Sequence, residues 1–448
     1  MKTVFRPRLM VLFLGDIFFL GFSLWLSLFL RAFQIPGTAL LAAYAFPFLF
    51  LAILSVGVFF IAGLYESRSV IFPRRTLSIT LLIAQIVNTL IAALFFFFVP
   101  IFGVTPKTVL LIYLIVSFFL VLCWRVFLFP RLGLQVRESA IVVGEGKEVE
   151  ELVQALRGAP HALAYIAAVV APSQETLSST IANALAEYKP RFVIADFSDK
   201  RVDAAFPSLY NLLAQGICFF DASALYEEVF GRVPLSHIND TWLAQHVSSY
   251  SRILYDFTKM AIDILAGFVL ACVSLVFYPF IALAILLEDG FPIFIAQDRV
   301  GKNNVLVRIY KFRSMSGNDN GHYVNGATTL RVTKVGRFLR AWRFDELPQL
   351  WNVLGGNLSL IGPRLELPTL VTQYETVIPY YGVRHLIKPG LSGWAQLHYH
   401  ADPHHGTDVE ATKMKLAYDL YYLKHRSLTL DLVIAVQTIR RLLIRGNA

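Results

Sequence analysis

Apolar positions in this chain occur first in long unbroken runs, then in short strand-like runs, then in helical stripes. Four runs, at about 9–30, 40–64, 77–99 and 109–128, each reach the ~20 residues a bilayer-spanning helix needs. Basic residues alternate between the loops. Lys2, Arg6 and Arg8 precede the first run, and Arg31 alone separates the first from the second. Arg68, Arg74 and Arg75 follow the second, Lys107 alone follows the third, and Arg131 and Arg137 follow the fourth. By the positive-inside rule, the N-terminus, the second loop and everything after Arg131 are cytoplasmic. No small-residue cleavage site follows the first run, so it reads as a retained helix and not a signal peptide. Asp16 interrupts that run, either as a functional intramembrane carboxylate or as a hydrogen-bonding contact between helices.

From about 138 to 247 the pattern shortens. Ala140–Val143, Tyr165–Val170, Phe192–Ala195 and Ile217–Phe220 read as strands, and Glu148–Leu156 as an amphipathic helix, which together predict a parallel sheet. Gly144-Glu145-Gly146 follows the first strand as a dinucleotide fingerprint would, but Val149 stands where the third glycine belongs. The module therefore reads as a Rossmann-like structural or regulatory unit, with cofactor binding the alternative.

A fifth apolar run covers 260–287 and carries Asp263 near its start and Pro279 in its body. Proline removes a helix hydrogen bond, so the run reads as a helix that enters the membrane, breaks near Tyr278-Pro279, and returns to the same face. A plain fifth span is the alternative, and it would carry everything that follows outside the cell. Tyr278 cannot cap the break as a serine would, which leaves its hydrogen bonding unaccounted for. No further spanning run follows. The stretch 430–443, with Arg440 and Arg441, is amphipathic and suits a lipid surface.

The most charged stretch is Arg331–Arg364. Arg337, Arg340 and Arg343 recur every third residue and would share one broad helix face. Pro348 predicts a helix ending near Arg343 and another beginning near Pro348, with Asp345 and Glu346 in the break beside a helix N-terminus. Adjacent carboxylates can hold Mg²⁺, and one can attack phosphorus. Arginines grip phosphate oxygens with a rigid fork. The plainer reading is a capping Asp-Glu pair on a solvated basic helix.

Composition narrows the partners. Of 448 residues, 56% are hydrophobic and 16% charged, too apolar for an ordinary soluble protein. The formal net charge is +9, and between Gln297 and Arg364 eleven Lys/Arg face four Asp/Glu. That local excess suits anionic headgroups or nucleotides, and nucleic acid is excluded by the bilayer-bound remainder. The three cysteines, Cys123, Cys218 and Cys272, have no metal-ligand or disulfide spacing. His398, His400, His404 and His405 cluster around Pro403, as a polar loop or a metal site.

Six blocks stand in order in the C-terminal part: QDRVG at 297–301, KFRSM at 311–315, RVTKVGRFLR at 331–340, DELPQLWNVLGGNLSLIGPR at 345–364, KPGLSGWAQ at 388–396 and YDLYYLK at 418–424. With them, residues 255–444 resemble the bacterial polyprenyl-phosphate phosphoglycosyl transferases, and the preceding half resembles the large, multi-domain members. The resemblance implies transfer of a phospho-sugar from a UDP-sugar to undecaprenyl phosphate with release of UMP. It assigns Asp345 as nucleophile, Glu346 as Mg²⁺ ligand beside it, and Arg340 and Arg364 as phosphate-binding, with Lys311, Arg313 and Arg299 as further candidates. Leu365 departs from the proline the family usually carries after GPR.

The fold expected is membrane α plus α/β. It comprises a four-helix transmembrane bundle (1–135), a Rossmann-like cytoplasmic module (136–248) and a mainly helical catalytic domain (249–448) with a re-entrant helix at about 258–288, broken at Pro279. The setting expected is the bacterial inner membrane, with the catalytic domain on its cytoplasmic face and the chain a homodimer. Two other functions compete with this one. A membrane-anchored nucleotide-sugar dehydratase or epimerase needs a Tyr-x-x-x-Lys pair in the α/β module. The chain has that spacing only at Tyr255 and Lys259, beside the membrane run and expected to face lipid or headgroups. A polysaccharide-assembly scaffold without catalysis fits residues 1–250.

Overall fold

The computed structural model describes residues 7–62, 64–65, 77–98, 107–132, 138–158, 164–172, 177–205, 217–247, 252–317, 330–399 and 408–445. His400, His404 and His405 lie outside them. The chain divides after Val229 into two compact units, a boundary that falls inside the 136–248 module expected from the sequence.

The first unit begins with four helices, α1 (Pro7–Ala32), α2 (Thr38–Ile61), α3 (Leu77–Phe98) and α4 (Lys107–Cys123). Each packs on the next and α1 closes on α4. Leu20, Phe59, Leu81 and Val121 fill one layer of the interior, and Leu24, Phe48, Val109 and Tyr113 another. The outward faces are apolar as well, with Phe18, Phe46 and Leu111 each more than half exposed. Helices that are apolar all round belong in a membrane, and three of these are long and apolar enough to cross one: Met10–Ala32, Thr38–Ile61 and Thr108–Leu128.

Asp16 resolves as a contact between helices. Helix α4 continues through a π-helical turn, Trp124–Leu128, which directs Arg125 onto Asp16. The guanidinium donates to both carboxylate oxygens at 3.1 and 2.5 Å, Tyr65 adds a bond of 2.7 Å, and a further guanidinium nitrogen reaches the Leu64 carbonyl.

Strands β1 (Glu138–Val143), β2 (Ala164–Val170), β3 (Phe192–Ala195) and β4 (Cys218–Asp221) form one parallel sheet in the order β2-β1-β3-β4. Helices α5 (Lys147–Arg157), α6 (Leu177–Tyr188) and α7 (Lys200–Ala205) connect them, and α8 (Ala222–Phe230) follows β4. The two inner strands, β1 and β3, are buried along most of their length, as parallel strands require, while Tyr165 and Val169 on the edge strand β2 stay about half exposed. Ile141 and Val193 are fully buried and pack with Ile181. Gly146 precedes α5 at φ 106°, a conformation that favours glycine. Val149 is buried, and a Cβ on Gly144 would meet the Asp196 side chain at 3.2 Å and that of Val149 at 3.3 Å.

The second unit opens with α9 (Asp240–His246), held to its own body. Trp394 donates to the Gly231 carbonyl at 2.6 Å, and Tyr380 to Asp240 at 3.2 Å. The long run becomes two helices, α10 (Ile253–Leu275) and α11 (Tyr278–Asp289). Helix α10 is the fourth element long and apolar enough to cross a membrane. The break falls at Val276-Phe277, and Pro279 lies in the first turn of α11, where its missing N–H costs nothing. No serine cap is needed there. Phe277 N–H donates to the Ser274 carbonyl at 2.9 Å and Val276 N–H to Val273 at 3.3 Å, closing the turn internally.

A hairpin follows, β5 (Phe294–Val300) antiparallel to β6 (Leu306–Phe312). The tight turn between them holds Asn303 and Asn304 at φ 54° and 59°, a region asparagine tolerates better than most residues. Next come α12 (Lys334–Ala341), α13 (Gln349–Leu354), β7 (Ser359–Ile361), α14 (Pro368–Val377), β8 (Gly390–Ser392), α15 (Trp394–His398), α16 (Val409–His425) and α17 (Leu428–Arg445). Strands β7 and β8 pair in parallel. Their contact is backbone on backbone: a Cβ on Gly390 would fall 2.1 Å from the Gly362 nitrogen, so only glycine fits. Helix α17 covers the amphipathic stretch read from the sequence.

Tyr255 and Lys259 do not face lipid. Tyr255 donates to Asp431 of α17 at 2.8 Å, and the Lys259 ammonium lies 3.2 Å from Asp431 and 3.7 Å from Asp263. Asp263 accepts from the Ser359 hydroxyl at 2.7 Å and the Leu360 N–H at 3.2 Å. Charged groups at this depth find partners because burial without one is costly.

Candidate active site

Helix α12 is capped twice. The Thr333 hydroxyl accepts from Gly336 N–H at 2.8 Å, and the Glu288 carboxylate accepts from Lys334 and Val335 N–H at 2.6 and 2.7 Å. The helix ends at Ala341, two residues short of Arg343. Arg343 sits at φ 56° in the left-handed region, a strained conformation for arginine. Arg337, Arg340 and Arg343 therefore do not share one helical face. The reversal at Arg343 starts a 3₁₀ turn, Phe344–Glu346, that closes before α13. The two carboxylates lie in that break, as Pro348 foretells.

Asp345 is buried, and the Glu346 side chain is 14% exposed. Glu346 pairs with Arg364 at 3.1 Å and lies 3.7 Å from Arg343. It borders a recess of about 310 Å³ shared with Arg299, Lys311, Gln349, Arg364 and Leu391. Lys311 comes from β6, Arg299 from β5, and Arg364 from the segment after β7. Leu365 also lines the recess, in the place where the resemblance calls for proline.

The electrostatics separate the two acids. Burial, with Glu346 adding to it, pushes the Asp345 carboxyl up to about 6, against the pull of Lys311, Arg340 and Arg364. Desolvation and a neighbouring anion here outweigh the cations. Burial opposes ionisation of Glu346 too, but Arg364, Lys311 and Arg343 together hold it down at about 2. Burial pushes the Lys311 ammonium down to about 8, with Glu346 resisting. Two neighbouring groups whose ionisations are driven apart mark a reactive pair.

The other predicted residues divide. Arg340 acts on Asp345 by charge, and its Nη1 lies 3.2 Å from Met315 Sδ. Arg313 is not part of the recess: its guanidinium pairs with the Asp289 carboxylate at the end of α11. Pro279 is likewise structural in position, while Phe277 in the break touches Phe344 of the Asp345-Glu346 turn, with ring centroids 5.5 Å apart.

Sequence reasoning missed the support beneath Arg364. Arg384, 1% exposed, donates to the Arg364 backbone carbonyl at 2.9 Å. It also pairs with Asp419 at 2.7 Å and Glu366 at 3.4 Å, and Lys415 pairs with Glu366. Tyr381 accepts from Arg384 at 2.8 Å. Two buried cations meet two buried anions, and the assembly fixes the chain carrying Arg364. The only signal in the sequence was polar residues inside otherwise apolar stripes.

Residues 254–445 match the model of the bacterial sugar transferase family. A UDP-glucose:undecaprenyl-phosphate glucose-1-phosphate transferase of Caulobacter vibrioides is 38% identical over 44% of this chain and 74% of that protein. The chain belongs to the bacterial sugar transferase family. A UDP-N-acetylgalactosamine-undecaprenyl-phosphate N-acetylgalactosaminephosphotransferase of Aeromonas hydrophila is 42% identical over 48% of this chain and 50% of its own length. A UDP-glucose:undecaprenyl-phosphate glucose-1-phosphate transferase of Escherichia coli K12 is 38% identical over 48% and 44%. The chain thus spans half or less of the length of these last two relatives. The match lies in the second unit, the one that carries the Asp345-Glu346 turn.

Proposed function

We propose that this chain transfers a phospho-sugar from a UDP-sugar to undecaprenyl phosphate, releasing UMP, as the first membrane step of a surface polysaccharide. The observation that carries this reading is the Asp345-Glu346 turn: Glu346 lines one recess with Lys311, Arg364 and Arg299, and the buried Asp345 beside it feels the charge of Lys311, Arg340 and Arg364. An Asp345 oxygen attacks the phosphorus that bears the sugar, and the bond from that phosphorus to the UMP oxygen breaks. A lipid phosphate oxygen then attacks the same phosphorus and frees Asp345. Splitting the transfer into two displacements spares the two phosphate substrates from meeting directly. Arg364, Lys311 and Arg299 sit where donors would meet charge developing on phosphate oxygens.

The donor set suits Mg²⁺. Among the described residues no group of three His, Cys, Asp or Glu could cage a metal. Mg²⁺ asks for less, since one or two carboxylates suffice when phosphate and water complete the shell. Glu346 and Asp345 would hold it, and when bound it would shield the approach of phosphate to carboxylate.

We read α10 and α11 as re-entrant. Both ends of the pair are fastened to the same unit: Arg252 donates to the Leu423 and Lys424 carbonyls at 3.0 and 2.6 Å, while Glu288 caps α12. Between them Phe268, Val269, Val276, Phe280 and Leu287 stand exposed. The catalytic unit then lies on the cytoplasmic face of the inner membrane, as the basic loops require. The α/β module serves as a Rossmann-like structural partner, with Val149 filling the position of the third glycine. A homodimer is the base-rate assembly, and the mass of the purified complex tests it.

Membranes carrying the protein are given a panel of UDP-sugars with undecaprenyl phosphate. One sugar should release UMP in proportion to lipid product. Release from none of them overturns the proposal, and tight NAD binding with sugar dehydration would replace it with the dehydratase reading.

A further inference from the structure

A second recess, whose roughly 270 Å³ of empty space includes open solvent, shares no lining residue with the one at Glu346. Its walls are His246, Val247, Arg252, Leu386, Ile387, Leu423 and Arg426. The two guanidiniums meet here with few acids to answer them among the described residues. Arg252 spends two nitrogens on the carbonyls that end α16, capping that helix. Arg426 reaches the Asp256 carboxylate at 3.2 Å, and Asp256 is itself half exposed to solvent. The Arg426 Nε is buried and has no hydrogen-bond partner among the described residues. Burial and the charge of Arg426 push the Arg252 guanidinium down from its ordinary value, as expected of like charges held together.

A buried donor left unmade is expensive, and two cations in one recess are more so. A bound anion relieves both costs. The remaining wall is apolar, and the rim continues onto exposed Ile253, Leu254, Phe257 and Leu386. Apolar rim and cationic floor together match an amphiphile: an anionic head below, hydrocarbon along the foot of α10.

We propose that the recess lined by Arg252, Arg426 and His246 binds a phosphate-bearing anion, supplied by a phospholipid headgroup or by free phosphate. The site is independent of the catalytic reading, because neither Asp345 nor any residue of the Glu346 recess takes part. Arg426 is its recognition residue, with a guanidinium fork suited to phosphate oxygens. Arg252 supplies charge while holding the end of α16.

The test uses the full chain in neutral detergent, with thermal unfolding followed on addition of phosphatidylglycerol, phosphatidylcholine or inorganic phosphate. Phosphatidylglycerol should raise the unfolding temperature more than phosphatidylcholine, and Arg426→Gln should raise the half-saturating concentration about tenfold or more, the worth of a charged hydrogen bond. Arg252→Gln risks losing the α16 cap, so Arg426→Gln carries the test. Arg364→Gln, in the catalytic recess, should leave the effect in place. Equal shifts from inorganic phosphate would assign a free anion, and shifts from phosphatidylglycerol alone would assign a lipid headgroup. The proposal is overturned if neither anion acts, if Arg426→Gln responds as the unsubstituted chain does, or if Arg364→Gln alone abolishes the shift.

Discussion

The membrane bundle and the catalytic unit both bury acids against arginines, and they leave them in different states. In the bundle, the Asp16 and Arg125 side chains are 0% and 3% exposed, each carboxylate oxygen has a guanidinium donor, and Tyr65 adds another. The charges cancel and the cluster is closed. At the Asp345-Glu346 turn a recess opens onto Glu346, Lys311, Arg299 and Arg364 share it, and the buried Asp345 carboxyl beside it is held well above its ordinary range. The Arg384–Glu366–Lys415–Asp419 assembly, beneath the same site, resembles the bundle instead: balanced and fully buried. Balanced, closed clusters hold parts together. The unbalanced, open one has capacity left for a charged substrate, and there the chemistry belongs.

This contrast makes crossed predictions. The largest effect is expected from Asp345→Asn, which keeps the shape and removes the proposed nucleophile. Turnover should fall about a thousandfold or more, with no loss of thermal stability. An acid whose folded value of about 6 exceeds the ~3.9 of an unfolded chain destabilises the fold at neutral pH, so its neutral replacement relieves a cost. A variant that unfolds early and keeps its turnover would place Asp345 among the scaffolding clusters.

Asp16→Asn should do the reverse. It leaves the Arg125 charge buried without its counter-ion, a change worth about 3–5 kcal/mol, so the unfolding temperature should drop while turnover per folded molecule stays level. A fall in turnover at unchanged stability would mean that the bundle takes part in the reaction.

A smaller, graded effect should appear with pH. The ratio kcat/KM reports the free enzyme's groups. It should rise up to about pH 6 as Asp345 ionises and fall beyond about pH 8 as Lys311 loses its proton. Replacing Lys311 with arginine should remove the alkaline limb, since arginine stays protonated there. A profile flat from pH 5 to 9 would contradict the assignment of both groups.

Much of this architecture was readable from the sequence, for local reasons. The four strands appear within a residue or two of their expected bounds because each is a short apolar run ended by a polar residue, a glycine or, after Val170, Ala171-Pro172. Pro279 and Pro348 marked the two breaks because proline restricts the residue before it. What was not readable depends on distant parts of the chain. Nothing in an arginine announces the left-handed turn at Arg343. The raised Asp345 value comes from burial that only tertiary packing supplies. Glu366, Arg384, Lys415 and Asp419 read singly as surface residues, and they become a core only once α16 packs against the turn that holds Arg384. Tyr255 and Lys259 looked lipid-facing because their partner, Asp431, lies far along the chain.

The central claim is that Asp345 carries the phospho-sugar covalently, and the intact mass of the protein tests it. The purified chain is given the accepted UDP-sugar with Mg²⁺ and no lipid phosphate. The account predicts a gain of one phospho-sugar, located on Asp345, with release of one equivalent of UMP and discharge on addition of undecaprenyl phosphate. An unmodified mass, with UMP released only when both substrates are present, would contradict it and favour direct attack by the lipid phosphate.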